Sequence, residues 1–480
     1  MTAIEPMAYE LRAQTPLQTS PRLKLVAAAV CIVLPLAFAF APLGIDPVAQ
    51  TALAITMFMI LAWMTHVMEY AAAGFIGCLL YWMTGVVAPN VAFTGFANTI
   101  TWFVLAALML GLVAQKSGLP QRIGSFIVTR VGMSYSAILL GLIVTDFILT
   151  IIVPTGVGRV VIMATIAIGL IKLFDAGPNS NVARGMFLII TYTATIFDKM
   201  IIAGAGSITA RGAIVQYGEV DIGWGQWFVA FLPCDILTVL AAWRLTLWLY
   251  PPEVKSIAGK AEELKAQFHI KEGWTAESRR AALIILATIS IWITDILHGI
   301  DPAMVAFTAA MVALLPYVGV IKTEDVLKTN IMPVFFVGAA LSMSAVLQQT
   351  GGLTVLTDTV LSGLEPLLAD RVAAVPILYW GAFVYHFFLA SEISMLASSL
   401  PVLMEFAKEN SLDPLWIGMV WTFASGGKLF VYQTAVLVVG YSYGFFRHTD
   451  LIKMGLAITV VEFFNVIITT AIWWPIIGIG

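Results

Sequence analysis

Long apolar segments recur along the whole chain, and no other feature constrains its fold as strongly. Runs close to the length that crosses the hydrocarbon core of a bilayer, about 20 residues, lie near 24–45, 47–66, 70–88, 99–115, 186–215, 224–250, 278–299, 301–321, 333–350, 414–444 and 450–478. Charged residues make up 11% of the 480 residues, against roughly a quarter in soluble globular domains. We therefore predict an all-α polytopic membrane protein with about 11 transmembrane helices.

Two further apolar regions, near 133–174 and 372–407, differ from simple crossings because each is interrupted in its middle. The interruption runs from Val153 to Arg159 in the first region and from Ala390 to Ser394 in the second. Two half-length helices that meet at a polar tip form a re-entrant hairpin, which is tolerated only where protein or a wet cavity surrounds the tip. We therefore predict two re-entrant helical hairpins in addition to the crossings.

The positions of Lys and Arg predict the orientation of the chain. With a cytoplasmic N-terminus and both hairpins returning to their own side, only three of the 25 Lys and Arg residues fall outside: Arg211, Arg371 and Lys408. Four more fall at membrane depth: Arg159, Lys199, Arg244 and Lys428. The other 18 fall on the cytoplasmic side. This asymmetry follows the positive-inside rule and predicts a multi-pass protein of the bacterial inner membrane. No basic tract indicates a nucleic-acid partner.

The two halves of the chain are similar in sequence. The segment from Trp102 to Gly118 aligns without gaps on the segment from Phe335 to Gly351, with identical residues at eight of 17 positions. In the predicted topology, about five crossings separate the two copies, and an odd number inverts the second copy relative to the first. Inverted repeats with interrupted helices are typical of secondary transporters, whose binding site lies at the repeat interface.

The predicted domains follow from this repeat. We assign 1–23 to a cytoplasmic tail, 24–250 to the first helices and first repeat, 251–280 to a cytoplasmic amphipathic linker, and 281–480 to the second repeat. Each hairpin is followed by a segment with small and polar residues in its middle, near 186–215 and 414–444, which we predict to be a broken helix. Helix N-termini at such a break attract anions, and the exposed carbonyls coordinate cations.

This layout resembles the divalent anion:Na⁺ symporter family, part of the wider ion transporter superfamily, from about residue 24 to Pro475. Members of that family usually carry Ser-Asn-Thr at each hairpin tip, where it binds sodium and a substrate carboxylate. The aligned triplets here are Val153-Pro154-Thr155 and Ser391-Glu392-Ile393, so Thr155 and Ser391 are retained and both asparagines are absent. Arg159 is similar to the Arg that some members carry just after the first tip.

The resemblance implies an elevator mechanism in a homodimer and a small organic anion as substrate: a dicarboxylate, a tricarboxylate or a sulfonate. It also implies a scaffold part built from the first three crossings and the segments 99–115, 278–321 and 333–350. The predicted substrate-binding residues are Thr155, Gly156, Arg159, Lys199, Ser207, Ser391, Lys428 and Thr434. If sodium is bound, its ligands are expected at Val153, Thr155, Gly204, Ser391 and Gly427.

Lys199 and Lys428 occupy equivalent positions in the two repeats, where the family gathers its sodium ligands. We hypothesise that these two ammonium groups replace the two sodium ions and that transport is sodium-independent. Asp198 and Glu392 are the predicted countercharges and the predicted coupling residues. The driving force would then be anion exchange or proton coupling. No cofactor is expected, and Na⁺ or H⁺ is the expected coupling ion.

Several alternatives remain open at this point. The alternative functions are an ordinary Na⁺-coupled anion symporter and a cation/proton antiporter of the same superfamily. Lys199 and Lys428 have no role in binding if they instead lie near helix ends and snorkel to the interface. Arg159 has a purely structural role if it only pairs with Asp146, and Asp235 is expected to make structural contacts. An enzyme is disfavoured, because five scattered histidines show no catalytic or metal-binding spacing: His66, His269, His298, His386 and His448.

Overall fold

The computed structural model describes residues 21–65, 67–153, 155–268, 273–360, 365–389, 391–424 and 427–479. Its regular elements are helices. Seven of the described helices are long and apolar enough to cross a membrane, and shorter apolar helices of 10–17 residues accompany them. The prediction of an all-α polytopic membrane protein is confirmed.

The longer helices fall into two halves. The first half contains Pro21–Ala39, Pro47–Thr65, Tyr70–Met83, Thr99–Ser117, Leu119–Val128, Tyr135–Ile152, Gly156–Leu173, Asn181–Phe197, Ala205–Gly218 and Trp224–Leu249. The second half contains Ala276–Ile293, Pro302–Leu314, Met332–Gln349, Gly352–Val360, Arg371–Phe388, Glu392–Glu409, Pro414–Ala424, Ala435–Ser442 and His448–Ile468. Short helices lie at Pro89–Ala92, Thr94–Ala97, Ala261–Gln267, Asp295–His298, Thr323–Leu327 and Glu365–Ala369.

Both predicted interruptions of the hairpins are present. The first hairpin is formed by Tyr135–Ile152 and Gly156–Leu173, and the second by Arg371–Phe388 and Glu392–Glu409. Thr155 ends the first tip, and its hydroxyl accepts a hydrogen bond of 3.3 Å from the amide of Gly158. This cap satisfies an amide that the first turn of the helix leaves without a partner.

Both broken helices are also present. The first is formed by Asn181–Phe197 and Ala205–Gly218, and the second by Pro414–Ala424 and Ala435–Ser442. Non-helical backbone at this depth needs side-chain support. In the second break, Gln433 Oε1 accepts hydrogen bonds from the amides of Leu429 and Phe430 at 2.6 and 2.8 Å.

The two hairpins pack on the broken helices in equivalent ways. The return limb Gly156–Leu173 contacts the first segment of its own broken helix and the second segment, Ala435–Ser442, of the other one. The return limb Glu392–Glu409 likewise contacts Pro414–Ala424 and, across the repeats, Ala205–Gly218. Each repeat therefore completes the packing of the other, which is the arrangement that inverted repeats produce.

A second group of helices packs mainly on itself, although Met332–Gln349 also contacts the return limb Glu392–Glu409 of the second hairpin. Thr99–Ser117 contacts Ala276–Ile293, Pro302–Leu314 and Met332–Gln349, and the last of these also contacts Tyr70–Met83. These helices coincide with the segments assigned to the scaffold. We refer to them with the first two helices as the scaffold part, and to the hairpins, broken helices, Trp224–Leu249 and His448–Ile468 as the transport part.

The described residues of the linker 251–280 include a single-turn helix, Ala258–Lys260, and a short helix, Ala261–Gln267, of seven residues, and the next helix begins at Ala276. Leu264 is buried and Lys265 is exposed, so this helix has the expected amphipathic character; residues 269–272 lie outside the described ranges. The start of the linker is fastened to the first hairpin, because the amide of Tyr135 donates to Lys255 O at 2.9 Å and the amide of Ile257 donates to Met133 O at 3.0 Å.

The close approach of Gly95 to the scaffold helix Met332–Gln349 gives a test of this packing. A Cβ atom at Gly95 would lie 2.0 Å from Gly338 O and 2.5 Å from Ser342 N, both backbone atoms. We expect Gly95→Ala to lower the free energy of unfolding by about 1–3 kcal/mol through overpacking, measured as thermal unfolding of the purified protein. Gly177→Ala is the control, since no atom lies within 4 Å there; equal effects of both substitutions would contradict the described packing.

Candidate functional site

Four helix N-termini meet where the hairpin tips reach the broken helices. A Cβ atom at Gly156 would lie 2.8 Å from Val436 Cγ2 and 3.4 Å from Asp198 Oδ1. A Cβ atom at Gly206 would lie 3.4 Å from Glu392 Cδ. The four helices that start here follow the N-cap residues Thr155, Gly204, Ser391 and Thr434. Their dipoles place partial positive charge at one point, which favours an anion.

The residues predicted to hydrogen-bond the substrate make different contacts in this structure. Thr155 and Thr434 cap their own helices, with the Thr434 hydroxyl accepting from the Val436 amide at 3.4 Å. Ser391 makes no such side-chain cap among the described residues. Ser207 is buried and donates to Ile201 O at 2.5 Å, so its hydroxyl braces the first break.

Arg159 is fully buried and holds the first hairpin to the first broken helix. Its Nε donates to Asp146 Oδ1 at 3.2 Å, its Nη1 to Asp198 Oδ1 at 3.4 Å, and its Nη2 to Ala194 O at 2.6 Å. The guanidinium also donates to Val153 O at 3.3 Å. Arg159 therefore does pair with Asp146, which the sequence had left open. Its guanidinium also contacts Val153, one of the expected sodium ligands.

Lys199 lies in the first break with 1% of its surface exposed, so it does not snorkel to the interface. Its ammonium group donates to the carboxylate of Glu462 and, at 3.2 Å, to Phe423 O. Glu462 is itself buried and accepts a hydrogen bond from the hydroxyl of Tyr379 at 3.1 Å. The expected pairing of Lys199 with Asp198 is wrong, because Asp198 binds Arg159 instead.

Lys428 occupies the corresponding place in the second break and is equally buried. Its Nζ donates to Glu392 Oε2 at 2.8 Å, which confirms the expected pair and joins the second break to the second hairpin tip. The lysine carbonyls are held as well: Tyr192 Oη donates to Lys428 O at 3.2 Å, and Trp227 Nε1 donates to Lys199 O at 2.8 Å. Both breaks thus have the same construction, with a buried lysine and an aromatic donor on its carbonyl.

Glycines allow the close approach of elements at the breaks. Gly204 precedes the second segment of the first broken helix, and a Cβ atom there would lie 3.2 Å from the Asp198 carboxyl carbon. Gly427 packs against Phe383, whose ring would lie 2.5 Å from an added Cβ. Their assignment as sodium ligands therefore stays a prediction. Among the described residues, no group of three or more His, Cys, Asp or Glu side chains is placed to hold a metal ion.

Sequence reasoning missed Glu462 and gave Asp235 only a structural role. Both lie in the helices that end each half, Trp224–Leu249 and His448–Ile468, which pack against each other. Asp235 is fully buried, and neither carboxyl oxygen has a hydrogen-bond partner in the described part of the chain. The signal that was available is a single acidic residue within a long apolar helix, which by default indicates function.

Comparison with known proteins agrees with this architecture. The family model described as the sodium:sulfate symporter transmembrane region matches residues 20–479. This chain belongs to that family of divalent anion:Na⁺ symporters. A similar protein is a membrane protein of Cupriavidus necator, 24% identical over 465 residues, which covers 91% of this chain and 89% of the relative. The L-tartrate/succinate antiporters of Escherichia coli K12 and Shigella dysenteriae are 24% identical over 404 residues, 80% of each chain.

The buried ion pair between Lys199 and Glu462 can be tested by substitution. Removal of one partner leaves the other charge buried, so we expect Lys199→Met to lower the free energy of unfolding by about 3–5 kcal/mol. The double variant with Glu462→Gln should lose clearly less than the sum of the single losses, measured by unfolding of the purified protein. The exposed pair Lys265 and Glu262 is the control, where Lys265→Met should cost less than about 1 kcal/mol. Additive losses at Lys199 and Glu462 would contradict the pair.

Proposed function

We propose that this protein is a secondary active transporter of a small organic anion, a di- or tricarboxylate or a sulfonate, in which Lys199 and Lys428 replace the two sodium ions of the family. The observation that carries the proposal is the pair of buried lysines in the two helix breaks, each bound to a carboxylate. Relatives named L-tartrate/succinate antiporters support a dicarboxylate as substrate and exchange as the mode of transport.

A lysine supplies the same single positive charge as a sodium ion, but it is covalently tethered. The two ammonium groups therefore stay in the breaks during the whole cycle, and no ion gradient is needed to fill these positions. Arg159 places a third cation beside the carbonyl of Val153, one of the expected sodium ligands. These contacts favour sodium independence over the ordinary Na⁺-coupled symporter.

The anion would bind between the four helix N-termini. Carboxylate groups accept hydrogen bonds from the free amides of a first helical turn, and Ser391, Thr155, Thr434 and Gly156 lie at the starts of three of these helices. Lys199 and Lys428 would supply the positive charge from behind this ring. Asp198 and Glu392 keep 21% and 10% of their side chains exposed, so they are the members of the ion pairs best placed to exchange protons with water.

We further propose an elevator motion of the transport part against a dimeric scaffold, in the bacterial inner membrane and with a cytoplasmic N-terminus. Support comes from the packing of the scaffold helices mainly on one another and from the polar contacts between the two parts. Asn98 of the scaffold donates to Gln216 of the transport part at 2.9 Å, and Arg211 lies 3.7 Å from Asp301. Such contacts have to break when the transport part slides.

A cation/proton antiporter is the second candidate function. Five carboxylates near the breaks favour it, since cations bind to carboxylates: the buried Asp146, Asp235, Glu392 and Glu462 and the half-buried Asp198. Four of these five are already paired with the three buried cations. Counterflow of a labelled anion separates the two candidates, because an antiporter for bare cations does not catalyse it.

Sodium independence is tested by the uptake of labelled succinate and L-tartrate into proteoliposomes with and without a sodium gradient. We expect uptake to persist without sodium and to fall at least about tenfold, a loss of 1.4 kcal/mol or more, in Lys199→Ala and in Lys428→Ala. Lys408→Ala is the control, because Lys408 is a transport-part cation whose partner, Glu219, lies near the surface. Uptake that requires sodium and persists in both Lys199→Ala and Lys428→Ala would contradict the proposal and indicate an ordinary Na⁺-coupled symporter.

The elevator motion is tested with paired cysteines. A reversible bifunctional thiol reagent that joins Asn98→Cys to Gln216→Cys should abolish succinate counterflow, and reduction should restore it, since the link ties the transport part to the scaffold. The three native cysteines are buried. The control pair Glu219→Cys and Lys408→Cys replaces a contact of 2.9 Å within the transport part. Counterflow that survives the first cross-link would rule out a sliding motion at this contact.

A further inference from the structure

Asp235 is a buried acid that the proposed anion site does not use. It lies within the crossing helix Trp224–Leu249, it is fully buried, and neither carboxyl oxygen has a hydrogen-bond partner among the described residues. A carboxylate in such surroundings stays ionised only while a nearby cation offsets its charge, and otherwise it binds a proton. Its protonation therefore depends on the charges around it.

The charges that act most strongly on Asp235 are the ammonium group of Lys199 and the carboxylate of Glu462, followed by Lys428 and Glu392. Lys199 is thus the cation that offsets the charge of Asp235, and it does so while bound to Glu462.

Other ionisable groups on the helices packed against Trp224–Leu249 are engaged or exposed elsewhere. Asp146 binds Arg159, Arg184 pairs with Asp450, and Asp295 accepts from the amide of Trp224. The exposed ones are Glu277, Arg279, Arg280, His298, His448 and Lys453. Lys199 and Glu462 are therefore the charged groups that act most strongly on Asp235.

The core as described has more carboxylates than cations. Its three cations are Arg159, Lys199 and Lys428, and its five carboxylates are Asp146, Asp198, Asp235, Glu392 and Glu462. With all groups ionised, five negative charges against three positive ones leave two surplus negative charges. A surplus of negative charge opposes the entry of an anion, and proton binding removes it.

We propose that Asp235 takes up a proton when the transported anion binds. The inference rests on the proposed function, in which Lys199 faces the anion. An anion draws the ammonium group of Lys199 towards itself and away from Asp235 and Glu462. Glu462 keeps the hydrogen bond from Tyr379, whereas Asp235 has no donor among the described residues and binds a proton from solvent on one carboxyl oxygen.

A polar seam between the two packed helices continues from this site. Thr238 follows Asp235 by one turn, and its hydroxyl accepts a hydrogen bond of 3.0 Å from the side-chain amide of Asn465, which follows Glu462 by one turn; both residues are buried. Buried polar groups along a transmembrane helix pair are rare and mark proton relays and ion pathways. This contact makes the interface between the two helices polar next to Asp235.

The proposal is tested first on the unmodified protein. Calorimetric titration of the purified transporter with succinate and with L-tartrate, in two buffers of different ionisation enthalpy, counts the protons bound with the anion. We expect uptake of between half a proton and one proton per anion, and an apparent affinity that rises as the pH falls, by at most about tenfold per pH unit. Anion binding without proton uptake would overturn the proposal, and no anion binding at all would instead refute the proposed function.

Asp235→Asn then assigns the proton to this residue. The amide mimics a protonated acid in shape and charge, so we expect the variant to fold, to bind the anion, and to lose both the proton uptake and the pH dependence of binding. Cys234→Ala, one position away and equally buried, is the control and should keep both. Proton uptake that persists unchanged in Asp235→Asn would overturn the assignment; a variant that does not fold is replaced by Asp235→Glu, which should keep the uptake and shift its pH midpoint.

Discussion

A charge buried inside a membrane protein is costly unless an opposite charge and hydrogen bonds surround it, and the centre of this transporter is organised by that requirement. Arg159 ties the first hairpin to the first break, Lys199 ties the first break to the last helix, and Lys428 ties the second break to the second hairpin. The unwound backbone of the breaks depends on these pairs, because each pair joins elements that helix hydrogen bonds no longer connect. The pair of Lys199 and Glu462 also links the two repeats to each other.

The site combines two sources of positive potential that differ in permanence. The partial charges of the four helix N-termini come from the backbone and are fixed by the fold. The charges of Lys199 and Lys428 are shared with carboxylates, so an anion in the proposed site would have to compete for them. Competition of this kind would make anion binding sensitive to the protonation of the carboxylates. Anion binding at a site filled by sodium ions would be less sensitive to it.

Sequence patterns predicted the hairpins, the breaks, the repeat and the buried lysines, because all of these are encoded by residues close together in the chain. The pair of Lys428 and Glu392 was within reach, since repeat symmetry places each break next to a hairpin tip. The partner of Lys199 was not, because Glu462 lies 263 positions away on a helix with no other signal. Likewise, Asp198 adjoins Lys199 in sequence, but its carboxylate turns to Arg159, 39 positions earlier.

The main-chain bonds between the linker and the first hairpin have a consequence for the length of the stroke. Since Lys255 and Ile257 are fixed to the base of the hairpin, the start of the linker would travel with the transport part in the proposed elevator motion. The chain between Gln267, where the short helix ends, and Ala276, where the scaffold helix begins, would then have to span the displacement. A chain of that length extends to roughly 30 Å at most, and this sets an upper limit on how far the transport part can move before the tether is taut.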